Sequence, residues 1–560
     1  PCLSGGSVLG AGEERDNALS LAMRSIDRLA RFSRKVATSS ITVTRAFSAE
    51  SGRLPDDFLT RLLARHPALQ VSTNSYDLES HGRGESHHPT SPPDAVLFPS
   101  TVEEVQTILR LCCRESSSKK KTTGGDDVSE VDIVSVIPYG AGTSVEGHLN
   151  LHTPPDEVRE VPSSIFTTDI QEKWRKVRFR RRGGVSIDMR NFDSISDVDS
   201  DAFCRFMIDP GADATLGGMT ASGASGTAAV KYSTMKENVL SINAVLPPDT
   251  ILSANDDEDA GAVSVASVGC AALKNSAGYN LPSLLTTSEG TLGVITDVTV
   301  KLYPIPSYVV AASCGFDDLH SAAEAVTLIK MEGIPVSRIE LLDEMSILAF
   351  NKSLGVDACA VSHEGDDRDL RVEPMAMKPH LFMEFAGHSL VREDLSAAQS
   401  ICVEYQGTNF QSAWDEATRQ TLWAARHRLY YSSIALRNGA TPQSTILTDV
   451  CVPLSAFADV IGWVGAEVKE NGIVGPCFGH AGDGNFHCIL PLTEEDTEEY
   501  KAKVWKLIEG LSDRAISCHG TCTGEHGVGS GKKKYLRRMY GEGGLKMMRA
   551  IKNSLDPFNM

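Results

Sequence analysis

A chain of 560 residues is too long for one hydrophobic core, so two or three domains are expected. Its 41% hydrophobic and 23% charged residues fit a globular protein in water, and a net charge of −19 argues against nucleic acid as a partner, because phosphates demand a basic face. No run of about 20 apolar residues occurs, so no helical membrane span is expected; the 13 scattered cysteines, with Cys112 and Cys113 adjacent, form no disulfide framework and read as reduced thiols.

In chain order, residues 20–48 come first. Arg24, Arg28, Arg31, Arg34, Lys35 and Arg45 stand with a single acid, Asp27, and Leu21, Ile26, Leu29 and Phe32 can form an apolar helical stripe. That composition matches a mitochondrial presequence, so residues 1–50 are assigned as a targeting segment; as the chain opens on Pro1, the true start is expected upstream. Val102–Cys113 has helical apolar spacing behind an acceptor at Ser100, and Val131–Ile137 is a β-branched strand ending at Pro138. Val294–Leu302 alternates as a half-buried strand, and Tyr500–Leu511 reads as an amphipathic helix. Helix and strand signals in segregated halves predict an α+β protein rather than a long doubly wound sheet. Polar tracts at 116–130, 154–184, 254–261 and 363–371 read as surface-loop insertions, the second carrying a basic patch at Arg178, Arg180, Arg181 and Arg182.

Three glycine-rich segments punctuate this pattern. PYGAGTSVEGH (138–148) follows a strand; Gly140, Gly142 and Gly147 free the backbone to approach an anion, and Thr143 and Ser144 offer hydroxyl donors. Val145 stands at the third glycine position of a dinucleotide fingerprint, and no GK[ST] follows, so the loop is neither of the two common phosphate motifs. In residues 210–239, Gly211, Gly217, Gly218, Gly223 and Gly226 alternate with Ala, Ser and Thr, too small a set of side chains to pack a core. Residues 274–296 add Glu289, Gly290 and Gly293. Close backbone approach to a large flat ligand explains all three, and a nucleotide-containing cofactor is the economical choice.

GHAGDGNFH (479–487) and GEHG (524–527) carry a different chemistry. Gly482, Asp483, Gly484 and Asn485 predict a tight reversal between His480 and His487, which lets both imidazoles face one point. Glu525 adds an oxygen ligand and His526 a titratable base beside it. Two histidines and a carboxylate with open positions are a catalytic rather than a closed structural pattern, suited to a divalent metal such as Zn, Mn or Fe.

Together, PYGAGTSVEGH, DPGADATLGGM with the following ASGT, SAGYNL with SEGTLGVIT, LWAARH (422–427), TDVCVP (448–453), GHAGDGNFH and TGEHGVGSGKK (523–533) resemble the FAD-dependent 2-hydroxyacid dehydrogenases of the vanillyl-alcohol-oxidase type, over about residues 55–560. GDGNFHCIL and CTGEHG favour the mitochondrial D-lactate dehydrogenase (cytochrome) branch. The resemblance implies an FAD-binding domain of two α+β subdomains over 51–305, of the PCMH type, and a C-terminal α+β substrate domain with an antiparallel sheet over 306–560. It implies FAD contacts at Pro138, Gly140, Ala141, Gly142, Thr143, Ser144, Gly147, Pro210, Gly211, Ala212, Thr215, Gly217, Gly218, Ala221, Ser222, Gly223, Ser225, Gly226, Glu289, Gly293 and Ile295. The implied reaction moves the C2 hydride of a small 2-hydroxy acid to the flavin, with His480, His487 and Glu525 as metal ligands. His526 is the expected general base and Arg426 the expected clamp on the substrate carboxylate, with His427 and Tyr430 as further candidates for the pocket. Cytochrome c is the implied electron acceptor, electron-transferring flavoprotein or a quinone the alternatives; glycolate and D-2-hydroxyglutarate are the alternative substrates.

Two departures from the family stand out. The join at 196–211 lacks about two dozen residues that such enzymes carry, including a strand and a helix, and the chain stops at LDPFNM where they continue into an NPGK-like tail. An incomplete sequence, or a flavin- or metal-binding protein with impaired activity, is the expectation these raise.

Overall fold

The computed structural model describes residues 54–115, 129–150, 157–162, 174–196, 204–211, 213–250, 263–353 and 374–560. The expected targeting segment, Ala212, residues 116–128 and the tracts at 254–261 and 363–371 lie outside the described residues.

Strands β1 (Gln70–Ser72), β2 (Ala95–Phe98), β3 (Cys113–Glu115), β4 (Ser129–Tyr139), β5 (Glu157–Pro162) and β6 (Trp174–Asp188) form the first sheet. Its order is β1-β2-β6-β4-β3, with β5 also on β6; β6 runs parallel to β2 and β4, and the other pairs are antiparallel. Helix α1 (Val102–Leu111) lays Val105, Ile108 and Leu109 onto a core with Leu97, Val134, Val185 and Ile187. Its cap is Thr101, not Ser100: Thr101 accepts the Glu104 N–H at 3.2 Å, and Glu104 accepts from the N–H groups of Ser100 and Thr101. T-x-x-E is a capping box, which outcompetes a lone serine. The helix stops at Leu111 because Cys113 already pairs with Ile133 in the sheet.

The basic stretch expected as a loop is strand. In β6, Val177 and Phe179 point into the core with Val131 and Ile133, while Arg180 forms an ion pair with Asp132 at 2.7 Å. The period-2 alternation in KVRFR was present in the sequence and was masked by its charge. β4 likewise runs past Pro138 to Tyr139, with Pro138 opposite Ile187 on β6.

The second sheet has three antiparallel strands in the order β10-β8-β9: β8 (Val239–Val245), β9 (Val265–Gly269) and β10 (Val294–Val300). Among the described residues, short β7 (Cys204–Arg205) pairs only with β11 (Tyr303–Pro304). Helix α2 (Leu216–Ser222) packs on β10, capped by Thr215, which accepts the Gly218 N–H at 3.1 Å. The strand expected over 294–302 thus ends two residues early.

β12 (Tyr308–Gly315), β13 (Val336–Leu342), β14 (His380–Gly387), β15 (Thr408–Ala413), β16 (Thr445–Leu447), β17 (Val450–Cys451), β18 (Cys477–Gly479) and β19 (Asn485–Pro491) build an antiparallel sheet in the order β15-β12-β14-β13-β18-β19-β16, with β17 also on β19. One face carries Leu341, Leu381, Met383, Cys477 and Leu490. They pack against helices α3 (Leu319–Met331), α5 (Leu454–Glu470) and α6 (Glu498–Ser517) through Val326, Phe457, Ile461 and Leu507. The other face carries Leu342, Phe382, Phe478 and Ile489. Helix α4 (Glu416–His427) covers it with Leu422 and Trp423. Strand alternation decides which side chain faces the site: Glu340 shares parity with Leu342, and His487 with Ile489.

Candidate active site

The reversal at 481–484 is a single 3-10 turn, with Gly484 at φ +74°, joining β18 to β19. A Cβ on Gly484 would collide with the Val452 carbonyl oxygen, so both backbone conformation and space demand glycine. The turn places His480 Nε2 and His487 Nε2 each 3.1 Å from Glu525 Oε1. All three side chains are nearly buried. The opposite ring nitrogens have acceptors: Glu340 Oε1 at 2.6 Å from His480 Nδ1 and the Thr448 carbonyl at 3.2 Å from His487 Nδ1.

Glu525 and His526 lie on a loop after α6, anchored by a residue that sequence reasoning did not assign. Asp449, fully buried between β16 and β17, accepts four hydrogen bonds on Oδ2: Thr523 Oγ1 and Gly524 N at 2.8 Å, Glu525 N and His526 N at 2.9 Å. Asn485 donates to Oδ1 at 2.8 Å. Burial opposes its ionisation, but His526, Lys532 and His487 nearby hold the carboxyl far below the usual range. TDVCVP was legible as a motif; the hydrogen-bonding role of Asp449 depends on a turn more than 70 residues downstream. His526 stacks on His487 at 4.8 Å between ring centroids and 18° between planes. Its Nδ1 has no hydrogen-bond partner among the described residues and lies 3.9 Å from Asp449 Oδ2. Burial pushes the His526 pKa down to about 4, leaving the ring neutral.

Arg426, at the end of α4, is buried and lies 4.6 Å over the Phe478 ring. Its Nε and Nη2 donate to Glu340 Oε2 at 2.9 and 2.5 Å. Glu340 was not singled out in the sequence. Burial penalises its charge, yet Arg426 and His480 outweigh the penalty and pull its pKa down to about 2. Burial also opposes a charge on His480, but Glu340 and Glu525 raise its pKa well above the ordinary value. Glu525 thus supplies a carboxylate where the two Nε2 atoms meet, with the Glu340 carboxylate behind the His480 ring, a charge pattern that favours a cation there.

These residues open into a cavity of about 340 Å³ that also carries glycine-loop residues. Pro138, Gly140, Ala141, Gly142, Thr143, Ser144, Pro210, Gly211, Thr215, Gly218, Ala221, Ser222, Ser225, Gly226 and Glu289 line it, with His427 and Tyr430. A second cavity of about 1080 Å³ is lined by Gly147, Gly223 and Gly293, and shares Pro138, His148, Ser222, Glu289 and Glu525 with the first. Gly217 and Ile295 line neither: Gly217 faces open space, and Ile295 packs into the core of the second sheet. Glu289 fastens the two histidine-bearing loops, accepting from Val528 N at 2.7 Å and Gly529 N at 2.8 Å and pairing with His148 at 2.9 Å. Gly226 closes the second loop at φ +146°, where a Cβ would strike the Asp209 carbonyl oxygen.

The fold is that of flavoenzymes of the vanillyl-alcohol-oxidase type. The p-cresol methylhydroxylase structure aligns with TM-score 0.59 at 13% identity, over 90% of this chain and 96% of that one. An alkyldihydroxyacetonephosphate synthase aligns with TM-score 0.58 at 17% identity, over 92% and 86%. The family described as FAD linked oxidases, C-terminal domain, matches residues 305–560. Probable mitochondrial D-lactate dehydrogenase of Danio rerio is 36% identical over 88% of this chain and 87% of its own length. Mitochondrial D-lactate dehydrogenase (cytochrome) of Arabidopsis thaliana is 32% identical over 87% and 76%, and that of Saccharomyces cerevisiae (form 1) 31% over 89% and 77%. The chain belongs to the FAD-linked oxidase family, in the branch of the D-lactate dehydrogenases (cytochrome).

Proposed function

We propose that the protein oxidises D-lactate to pyruvate in mitochondria, using FAD and a divalent cation, and passes the electrons to cytochrome c. The observation that carries this reading is the meeting of His480, His487, Glu525 and His526 with the glycine loops in one cavity. The adjoining, wall-sharing cavities suit an elongated dinucleotide. Gly226 and its neighbours let the backbone come close where a Cβ would intrude. The donor set likewise fits a cation: two imidazole nitrogens whose far sides already have acceptors, and one carboxylate oxygen.

FAD supplies hydride acceptance and the cation supplies Lewis acidity when bound. His526 then removes the hydroxyl proton; its neutral ring stacked on His487 places a lone pair beside the cation site. Arg426, held from one side by Glu340, offers the other edge of its guanidinium to the substrate carboxylate. Leu447, Phe478 and Ile489 form an apolar wall that suits the methyl group of lactate and exceeds the needs of glycolate. Arg426 is the only Arg or Lys among the described residues lining this cavity, so those residues offer no second cation to the other carboxylate of 2-hydroxyglutarate.

The test is metal content and D-lactate-driven reduction of cytochrome c. Wild type should show both, and His480→Ala should lose metal together with turnover. Wild-type metal content in that variant would remove His480 from the ligand set.

A further inference from the structure

β13 and β18 pair with Leu341 opposite Gly479 and Leu342 opposite Phe478, so Glu340 stands opposite His480, one step beyond the ladder. Its side chain is fully buried, and its two oxygens serve different partners. Oε1 accepts from His480 Nδ1 at 2.6 Å, while Oε2 accepts from Arg426 Nε at 2.9 Å and Nη2 at 2.5 Å. Holding a proton on Nδ1 would make Nε2, which faces Glu525, the nitrogen that gives up its proton when a cation binds. The same carboxylate fixes the guanidinium over Phe478, beside the cavity.

We propose that Glu340 is a positioning residue that couples cation binding to substrate recognition, setting the cation-facing nitrogen of His480 and the substrate-facing edge of Arg426 through one carboxylate. This rests on the cation site proposed above. A simpler role, neutralising the buried Arg426, predicts a different outcome. Removal of both charges together would then repair the damage.

The experiment measures Zn²⁺ affinity by chelator competition, and KM for D-lactate, in flavin-loaded wild type, Glu340→Gln and the double variant Glu340→Gln/Arg426→Met. Gln has one acceptor oxygen where Glu340 uses two, so it can satisfy only one of the partners. The expected result is about 10–100-fold weaker Zn²⁺ binding in Glu340→Gln, persisting in the double variant. KM should rise about tenfold in the single variant as Arg426 loses its anchor. Wild-type affinity and KM in Glu340→Gln, or wild-type affinity regained in the double variant, would overturn the proposal. Should Glu340→Gln fail to fold, Glu340→Asp keeps the charge but is one methylene short; weaker Zn²⁺ binding there supports the coupling, and unchanged binding overturns it. A wild-type protein that binds no Zn²⁺ would overturn the cation site itself, and Glu340's role with it.

Discussion

Replacing His526 by Ala should lower turnover about 10²–10⁴-fold while flavin and metal content hold. Stopped-flow flavin reduction measures this directly, and unchanged reduction would free His526 of the base role. At this scale the sequence was most informative about the histidine cluster. The turn at 481–484 brings His480 and His487 together from local residues, whereas Glu525 and His526 reach them through the loop that Asp449 anchors. Glu340 and Asp449 were not legible in the same way. Glu340 lies in SRIELLDE, a segment with no motif around it, and its partners are 86 and 140 residues away. Asp449 acts on backbone N–H groups, which leave no trace in side-chain patterns. A buried acid on a strand is a weak sign of function until its partners are known.

Turns and strand ends carry the geometry at the next scale. Gly484→Ala places a Cβ against the Val452 carbonyl at φ +74° and should destabilise the β18–β19 reversal by at least about 1–2 kcal/mol. Thermal unfolding checks the stability, and the same variant should bind Zn²⁺ more weakly because His480 and His487 flank the turn. The first glycine loop has its own buttress. At its entry, Tyr139 pairs in register with Asp188 and its ring lies 4.1 Å from His81. Asp188 accepts from His81 Nε2 at 2.8 Å and from Arg190. Burial opposes its ionisation, but His81 and Arg190 prevail and hold the carboxyl below its ordinary range. A depressed acid contributes stability above its unfolded pKa and loses it as pH falls through the folded one. Acid unfolding of wild type should therefore steepen below about pH 4, and Asp188→Asn should flatten that limb while lowering stability at pH 7. An unaltered acid limb would refute this assignment. Long elements with clear periodicity were legible, as α6 shows, though it runs from Glu498 to Ser517 rather than over 500–511. β6 was missed because the charge of its arginines hid the alternation of Val177 and Phe179, which pack into the core.

Across the described residues, a mixed sheet, a small antiparallel sheet and a large antiparallel sheet supply the walls of the two cavities and the bed for the histidines. The α+β class followed from the order of helix and strand signals; the pairing order of the large sheet did not, since register between distant strands is set by packing on both faces rather than by local pattern. β9 is an edge strand of the second sheet among the described residues, and the segment following it exposes Leu273 and Tyr279 at 78% and 92%. The central claim, a flavin and a substrate site sharing one cavity, is tested most directly by the anaerobic absorbance spectrum of the purified protein before and after adding D-lactate or L-lactate. The account predicts an oxidised flavin spectrum that D-lactate bleaches and L-lactate leaves intact. A flavin spectrum indifferent to D-lactate, or a protein without flavin, would contradict it.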